Sequence, residues 1–276
     1  MKKFYILIFI IVFPLVLNAQ YSAQDLLRMG EAAINTGDYN EAILRFTEHI
    51  KIMPNSSLGY DRRGTAYMLL KRYDDAQKDF SSAIQIDSKF SKAYIDRGIL
   101  KTITEDYPAA ISDFSSAILI DQANSSTYVY RGTAYLKSGN LTLGMSDFNM
   151  ALSIDPKNPD AYRNRGVVYF MTQEEKKALA DFNTAVELDT SNAQNYMERG
   201  TFYYQENDLK ESLKDFNKAI ELNKTNPEAY FRRGFVNKEM KKYSEALYDF
   251  QTAIDLNPGN KSILDPEIKQ LKDLIR

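Results

Sequence analysis

The sequence of 276 residues contains no cysteine, no tryptophan and a single histidine, His49. Without cysteine the chain forms no disulfide, binds no metal through thiolates and carries no lipid on an N-terminal cysteine. One imidazole is too few for a metal cluster or a catalytic triad that needs several histidines, and a packing role for His49 is favoured over catalysis. We therefore predict no metal, no cofactor and no enzymatic activity.

The chain also lacks an excess of charge of one sign. Its 35 Lys and Arg residues are balanced by 37 Asp and Glu residues, which leaves a formal net charge of −2. Proteins that bind nucleic acids usually carry a clear excess of basic residues, with which they contact the phosphates. The composition therefore predicts no nucleic-acid partner.

No glycine-rich phosphate-binding loop is present, because the glycines are spread along the chain at a regular interval. Seven glycines recur every 34 residues, and a phenylalanine follows each of them 16 residues later. Such a period predicts a stack of one repeated unit without a single central core. In chain order the pairs are Gly30 and Phe46, Gly64 and Phe80, Gly98 and Phe114, Gly132 and Phe148, Gly166 and Phe182, Gly200 and Phe216, and Gly234 and Phe250.

The stretch from Tyr60 to Ser88 shows the nature of the unit. Two sets of small and aromatic residues stand at the spacing i, i+4 and i+7, which places each set on one face of a helix. Turn signals separate the two sets in several copies, as at Gly37-Asp38, Gly139-Asn140 and Asn207-Asp208. The unit is therefore predicted to be a helix–turn–helix hairpin. The two sets are Tyr60, Gly64 and Tyr67, then Ala76, Phe80 and Ala83.

This pattern resembles the tetratricopeptide repeat (TPR) family, whose signature is a large residue followed by Gly, Tyr, Ala, Phe and a closing Pro over 34 residues. The large residue is Leu26 in the first copy and tyrosine in the other six. Alanine fills the two small slots of the second helix except at Gly144, Ser212 and His49. Closing prolines remain at Pro54, Pro156 and Pro258.

The resemblance implies an all-α fold, an α-solenoid in which stacked hairpins form a right-handed superhelix. The hairpins should occupy residues 20–260. After them, residues 261–276 are expected to form a C-terminal capping helix, with Asp265 and Pro266 at its start and Leu264, Ile268, Leu271 and Ile275 on one face. The seven repeats are expected at 23–56, 57–90, 91–124, 125–158, 159–192, 193–226 and 227–260.

Arginine precedes six of the seven glycines, and aspartate precedes six of the seven phenylalanines. The first copy breaks both rules at once, with Met29 and Arg45. This joint loss indicates that the two positions are partners within one repeat, since the planar guanidinium binds a carboxylate through two hydrogen bonds. The alternative is a row of arginines that binds an anionic ligand, and the structural ion pair is favoured over it.

Residues 1–19 do not belong to the repeats. Lys2 and Lys3 precede an apolar run from Phe4 to Leu17, and a small residue, Ala19, follows. This arrangement predicts a signal peptide, cleaved after Ala19, and export to the periplasm or the exterior. The alternative is a retained membrane anchor, although the run is short against the ~20 residues that span a bilayer. After cleavage we expect no membrane span.

In the TPR family the first helices line a concave wall that binds peptides. On these helices the exposed positions should lie three residues before, one after and four after each glycine. The predicted function is a scaffold that holds a protein or peptide partner there, unless these side chains only extend the core. Two further alternatives are a self-associating assembly factor of the cell envelope and a glycan-binding accessory protein. The predicted partner-binding residues are Ile95, Ile99, Val129, Arg163, Val167, Phe170, Met197, Tyr204, Phe231 and Phe235.

Overall fold

The computed structural model describes residues 21–275, so the predicted signal peptide at 1–19 lies outside the described residues. Within that range every regular element is a helix and no strand occurs. The helices are α1 (Ala23–Thr36), α2 (Tyr39–Ile52), α3 (Ser57–Leu69), α4 (Tyr73–Ile86), α5 (Ser91–Ile103), α6 (Tyr107–Ile120), α7 (Ser125–Lys137), α8 (Leu141–Ile154), α9 (Pro159–Met171), α10 (Glu175–Leu188), α11 (Ala193–Gln205), α12 (Leu209–Leu222), α13 (Pro227–Glu239), α14 (Tyr243–Leu256), a 3-10 turn (Pro258–Asn260) and α15 (Lys261–Ile275).

The chain divides into two compact units, with the boundary between residues 87 and 88. In the first unit, α1 pairs with α2 and α3 with α4, and α2 packs against α3. In the second unit, α5 to α14 form five hairpins, and the second helix of each packs against the first helix of the next. The last helix, α15, packs against α14. These stacked hairpins confirm the predicted all-α solenoid architecture.

The repeated glycine allows the two helices of a hairpin to approach closely. In the fourth hairpin a Cβ atom on Gly132 would lie 2.7 Å from Cε1 of Phe148, closer than carbon atoms can approach. The ring of Phe148 is fully buried against this glycine. Burial of such a ring stabilises the fold by roughly 1.5–3 kcal/mol, which exceeds the ~1 kcal/mol that a glycine costs inside a helix. The regular pairing of glycine and phenylalanine is therefore a packing requirement.

The turn inside each hairpin contains one residue with a left-handed backbone. At Gly37 and Gly139 the φ angles are 80° and 85°, as the turn signals predict. Five turns place a residue with a side chain there, and only Asn207 among them was recognised from the sequence. The backbone N–H of the next residue donates a hydrogen bond to a carbonyl near the end of the first helix and so caps that helix. The N–H of Glu174, for example, donates to the carbonyl of Tyr169 at 2.8 Å. The five residues are Lys71, Glu105, Gln173, Asn207 and Lys241, with φ between 59° and 63°.

In the second to seventh repeats the arginine and the aspartate form the predicted ion pair. In the fourth hairpin Nε of Arg131 donates to Oδ2 of Asp147, and Nη2 donates to Oδ1, both at 2.8 Å. The hydrogen bond to Asp147 raises the pKa of Arg131 above its usual value. Hydrogen bonds with the same two-point geometry join Arg63 to Asp79, Arg97 to Asp113, Arg165 to Asp181, Arg199 to Asp215 and Arg233 to Asp249.

The same arginines also join successive repeats, which the sequence analysis did not anticipate. Nη1 of Arg131 donates to the hydroxyl of Ser115 in the preceding hairpin at 3.1 Å. In the three hairpins that follow, the acceptor is an asparagine side chain, as in the 2.9 Å bond from Arg199 to Asn183. Tyrosine rings flank the guanidinium; those of Tyr128 and Tyr135 lie within 6.0 Å of Arg131. Each of these four arginines therefore stabilises its own hairpin and its junction with the preceding one.

The C-terminal helix covers the last hairpin, with two differences from the prediction. Leu264, Ile268 and Leu271 are buried in the core cluster of the last hairpins, whereas Ile275 is exposed. The helix begins at Lys261 instead of at Asp265, so that Pro266 lies inside it. Because the turn at Pro258–Asn260 leads directly into helical geometry, the prediction of a helix start at Asp265 is wrong.

Candidate partner-binding site

We use the term first-helix face for the side chains three before, one after and four after each glycine on α5, α7, α9, α11 and α13. Two of the ten residues predicted to be exposed there are buried. Val129 is 6% exposed and Met197 is 3% exposed, and both belong to core clusters. The prediction that these two side chains are accessible is wrong, because neighbouring first helices pack directly against each other, as α9 does with α7 and α11.

The other eight predicted residues are half-buried. Ile95 and Ile99 pack against the cluster around Phe114, and Val167 and Phe170 pack against the cluster around Phe182. These four side chains therefore contribute mainly to the cores of their hairpins.

Arg163 connects two first helices. Its guanidinium pairs with Asp160 on α9 and donates to the side-chain oxygen of Asn195 on α11 at 3.2 Å. Asn195 is itself buried and donates to two backbone carbonyls. Arg163 thus orients α9 relative to α11, and part of its hydrogen-bonding capacity is used inside the protein.

The remaining three predicted residues lie together. Tyr204, Phe231 and Phe235 line a cavity of about 170 Å³ between α11 and α13. Phe216 of α12 also lines it, and Thr201 of α11 contributes a fourth position of the first-helix face. We call this cavity the aromatic pocket. Its lining is completed by Gln205, Glu228 and Arg232.

The aromatic wall of the pocket is anchored to the core. The ring centroids of Phe231 and Phe235 are 5.1 Å apart, and that of Phe235 lies 5.0 Å from Phe250 in an edge-to-face arrangement. Phe250 is fully buried and packs on Gly234. Because Phe235 is held by this ring, the wall presents a preorganised apolar surface, a property that favours ligand binding.

The polar part of the lining is held by hydrogen bonds between the two helices. Nε of Arg232 donates to Glu228 on the same helix at 2.7 Å, and Nη1 donates to the hydroxyl of Thr201 on α11 at 3.1 Å. That hydroxyl donates to the carbonyl of Met197 at 2.7 Å. The pocket therefore combines an apolar wall with an oriented guanidinium and carboxylate, the usual composition of a recognition pocket.

Tyr204 adds a phenol to the lining. Burial raises the pKa of its hydroxyl, the nearby Glu239 raises it further and Lys238 lowers it. The hydroxyl consequently stays neutral at physiological pH and is a hydrogen-bond donor and acceptor.

Gln205, Glu228 and Arg232 were not among the predicted residues, because the prediction covered only three positions per first helix. A signal for two of them was available: Glu228 and Arg232 are four residues apart, the spacing at which a carboxylate and a guanidinium meet on one helix face. The contact from Arg232 to Thr201 joins separate repeats and has no local sequence signal.

A larger groove of about 450 Å³ lies on the other side of α13, lined by residues of α12, α13 and α14. Arg233 and Asp249 line it, but they bind each other, and Asn217 accepts a third hydrogen bond from Arg233. The arginine and aspartate of this groove are thus already engaged with each other, and the aromatic pocket, with its apolar wall, is the better candidate.

Between residues 21 and 275 no three His, Cys, Asp or Glu side chains converge in a way that would bind a metal ion. The helices of that same range include none with both the length and the hydropathy required to cross a membrane.

Four sequence models of the TPR family match the chain. A TPR repeat model matches residues 200–241, and tetratricopeptide repeat models match residues 59–90, 129–193 and 227–260. No curated protein matches the sequence.

Solved structures share the fold. The structure of the APC/C hetero-tetramer Cut9–Hcn1 is 15% identical, with a TM-score of 0.73, over 93% of this chain and 57% of that chain. This chain therefore spans little more than half the length of that relative. A tetratricopeptide repeat protein from Parabacteroides merdae is 18% identical, with a TM-score of 0.71, over 91% of this chain and 98% of that one. The TPR protein TTC0263 from Thermus thermophilus is 19% identical, with a TM-score of 0.60, over 66% and 98%.

Proposed function

Because this chain belongs to the tetratricopeptide repeat family, we propose that it is a non-enzymatic scaffold that binds a protein or peptide partner on the first-helix face of its second unit. The TPR fold in general supports protein–protein interaction, and the similar Cut9–Hcn1 structure is a complex of two proteins. The observation that carries the more specific proposal is the aromatic pocket.

The size and lining of the pocket favour one apolar side chain of the partner as its occupant. A cavity of ~150 Å³ with apolar walls accommodates a benzene ring, so about 170 Å³ admits one aromatic or branched aliphatic side chain. Arg232 and Glu228 lie beside that position and are suited to hydrogen bonds with the backbone of the same segment. We expect the apolar side chain to contribute most of the binding energy, as anchors in desolvated pockets do.

A selection from a random peptide library tests this proposal. Peptides enriched on the purified protein should share one large apolar residue. Their affinity should fall at least about tenfold with Gln205→Trp, whose ring would cover the mouth of the pocket, and with Phe231→Ser, which removes one wall.

The matched control is Met171→Trp, which introduces a tryptophan at the equivalent position of the preceding repeat. Met171 is exposed and lies outside the pocket lining. Circular dichroism of each variant verifies the helical content. Equal peptide affinity for Gln205→Trp and Met171→Trp would disprove the pocket as the site, and enrichment of oligosaccharides instead of peptides would favour the glycan-binding alternative.

We also propose that the protein is exported, on the basis of residues 1–19 alone. Expression with the native N-terminus in a bacterium with two membranes, followed by fractionation and N-terminal sequencing, tests this. A chain in the periplasm or medium that begins at Gln20 is expected, and an intact N-terminus in the cytoplasm would contradict it.

A further inference from the structure

The seventh repeat lacks an aromatic ring that most other repeats place beside the ion pair. Three residues after the repeated glycine it has Asn237. In the fourth repeat a tyrosine has this position, and the centroid of its ring lies 6.0 Å from the guanidinium of Arg131. The corresponding distances in the second and fifth repeats are 5.9 and 5.8 Å, so the ring contacts the arginine in each of them. The tyrosines at this position are Tyr67, Tyr135, Tyr169 and Tyr203.

The groove of about 450 Å³ beside α13 lies where other repeats have this ring. In the second repeat the guanidinium of Arg72 lies 4.5 Å from the ring centroid of Tyr67, and the residue equivalent to Arg72 is Lys242. In the fifth repeat Nζ of Lys177 lies 5.2 Å from the tyrosine ring, and the equivalent residue is Glu245. Lys242 and Glu245 both line the groove, as does the ion pair itself. The groove therefore has the surroundings of the ring that the seventh repeat lacks.

Asn237 replaces only part of what a larger side chain would do there. It is 5% exposed, and its Nδ2 donates to Oδ2 of Asp249 at 2.9 Å. The third repeat has Lys101 at the same position, and its Nζ lies 3.4 Å from Oδ2 of Asp113. Asn237 thus makes to the carboxylate the contact that a cation makes in the third repeat. The groove consequently lacks an aromatic ring and does not lack a positive charge.

One wall of the groove is an aromatic ring that the earlier repeats do not have. Tyr248 of α14 lines the groove and is 65% exposed. Aromatic rings pair favourably with other rings in offset or edge-to-face arrangements. The exposed ring therefore favours an aromatic occupant. The equivalent residues of the six earlier repeats are Leu44, Lys78, Ser112, Ser146, Ala180 and Lys214.

The polar lining is suited to a phenol hydroxyl. Oδ1 of Asn217 accepts from Nη1 of Arg233 at 2.8 Å, which leaves the N–H groups of this amide available to other acceptors. A phenol hydroxyl can accept from such an amide and donate to a carboxylate such as that of Glu245. Asn217 and Glu245 both line the groove.

From these observations we propose that the groove binds a tyrosine side chain presented by a segment of another protein. The ring lies beside Arg233 and Asp249, as the tyrosine of the repeat itself does elsewhere. Because these two charges neutralise each other, and Lys242 and Glu245 are opposite in sign, a neutral side chain matches the site. The groove lies on the other side of α13 from the aromatic pocket, and the inference goes beyond the proposed function.

Nuclear magnetic resonance of side-chain amides in the isotope-labelled chain tests this proposal, with N-acetyltyrosinamide as the probe. The amides of Asn217 and Asn237 should shift and saturate with a dissociation constant of about 1 mM, a value typical of so small a ligand. Asn183 is the internal control, because it accepts from Arg199 in the sixth repeat as Asn217 accepts from Arg233. The sixth repeat retains its tyrosine, so the amide of Asn183 should not shift.

Two matched variants exchange the properties of the sixth and seventh repeats. Asn237→Tyr supplies the ring from the chain itself and should weaken the response of Asn217 to the probe at least about tenfold. Tyr203→Asn removes the ring of the sixth repeat and should make the amide of Asn183 respond. N-acetylalaninamide and N-acetyllysinamide, which lack the ring, should not shift Asn217. Circular dichroism verifies the helical content of each variant.

Four results would overturn the proposal. The first three are an unchanged Asn217 amide in the original chain, an equal response in Asn237→Tyr, and an equal response to N-acetyllysinamide. The fourth is a dimer in sedimentation that dissociates with Asn237→Tyr, which would assign the groove to a second copy of this chain. Because Gln205→Trp should leave the response of Asn217 unchanged, failure of this proposal is distinguishable from failure of the aromatic pocket.

Discussion

The ring of His49 occupies the space that a side chain at position 59 would need. A Cβ atom on Gly59 would lie 2.6 Å from Cδ2 of His49. At three later junctions the equivalent positions are both alanine, as at Ala151 and Ala161. The first junction between repeats therefore has a large residue and a glycine where these three junctions have two alanines.

Hydrogen bonds hold the imidazole in place. Nδ1 of His49 donates to the carbonyl of Ala23 at 2.7 Å, which leaves Nε2 to accept from the hydroxyl of Ser56 at 2.8 Å. The Ser56 oxygen in turn accepts from the backbone N–H of Gly59 and caps α3. The sole histidine thus connects α2 with the starts of α1 and α3, a structural role that the sequence analysis favoured over catalysis.

We predict that changes at positions 49 and 59 are strongly non-additive. His49→Ala should destabilise the fold by ~2–4 kcal/mol, through a cavity and lost hydrogen bonds, and Gly59→Ala by ~1–3 kcal/mol through steric overlap. The double variant restores the pair of alanines and should be no less stable than His49→Ala alone. Urea unfolding followed by circular dichroism measures the cycle, and additive effects would refute the packing relationship.

The ion pair of Arg131 and Asp147 predicts a difference between a single and a double change. Asp147→Ala leaves the guanidinium of Arg131, which is only 20% exposed, without its carboxylate partner. The free energy of unfolding should fall by ~3–5 kcal/mol. Arg131→Met combined with Asp147→Leu removes both charges and should cost much less. Ser115 stays hydrogen-bonded in this variant, because its hydroxyl donates to the carbonyl of Ile111. If thermal unfolding shows equal damage from the double and the single variant, the pair is not the source of the effect.

The left-handed backbone at Gln173 predicts a stabilising substitution. A residue with a side chain costs ~1–2 kcal/mol in this conformation, so Gln173→Gly should raise the free energy of unfolding by ~0.5–1 kcal/mol after the entropy of the unfolded chain is included. The reverse change, Gly139→Gln, is the control. No atom lies within 4 Å of a Cβ placed on Gly139, so only its backbone angle opposes a side chain. Calorimetry should show melting temperatures shifted in opposite directions, and shifts of the same sign would contradict the interpretation.

A buried hydroxyl predicts a second stabilising change. Thr127 is 1% exposed, and its Oγ1 lacks a hydrogen-bond partner within the part of the chain that the structure describes. Because an unsatisfied buried hydroxyl costs ~1–3 kcal/mol, Thr127→Val, which keeps the shape, should increase stability by about 1 kcal/mol. Thr133→Val is the comparison, since that hydroxyl donates to the carbonyl of Val129 and its loss should not stabilise. A loss of stability with Thr127→Val in denaturant unfolding would show that the hydroxyl is satisfied.

The contacts of the repeated arginines show which interactions can be predicted by comparing repeats and which cannot. Met29 and Arg45 replace both partners in the first repeat, and this joint change was sufficient to predict the pairing within a repeat that the structure confirms. The bond from Arg131 to Ser115 was not predicted, because the position after phenylalanine varies among serine, threonine, asparagine and glutamine. Because several small polar side chains can accept the hydrogen bond from the guanidinium, no single residue type is required at this position. The interaction is therefore difficult to predict from the sequence.

The candidate site was only partly predictable. Val129, Met197 and Phe231 occupy the same register position in three repeats, yet the first two are buried and the third lines the aromatic pocket. Helical periodicity specifies the direction in which a side chain leaves its own helix. The space that remains between α11 and α13 depends on the sizes of the side chains that meet there, which periodicity does not contain.

The amino-acid sequence by itself determined the number and length of the hairpins, the glycine–phenylalanine contact within each and the partner of each arginine. All of these arise between residues at a constant separation along the chain. Only the tertiary structure decided which first-helix side chains are buried, where three of them enclose a pocket and how a groove opens beside Asn237. Those features arise between neighbouring repeats, where close packing of particular side chains determines how much of each remains accessible.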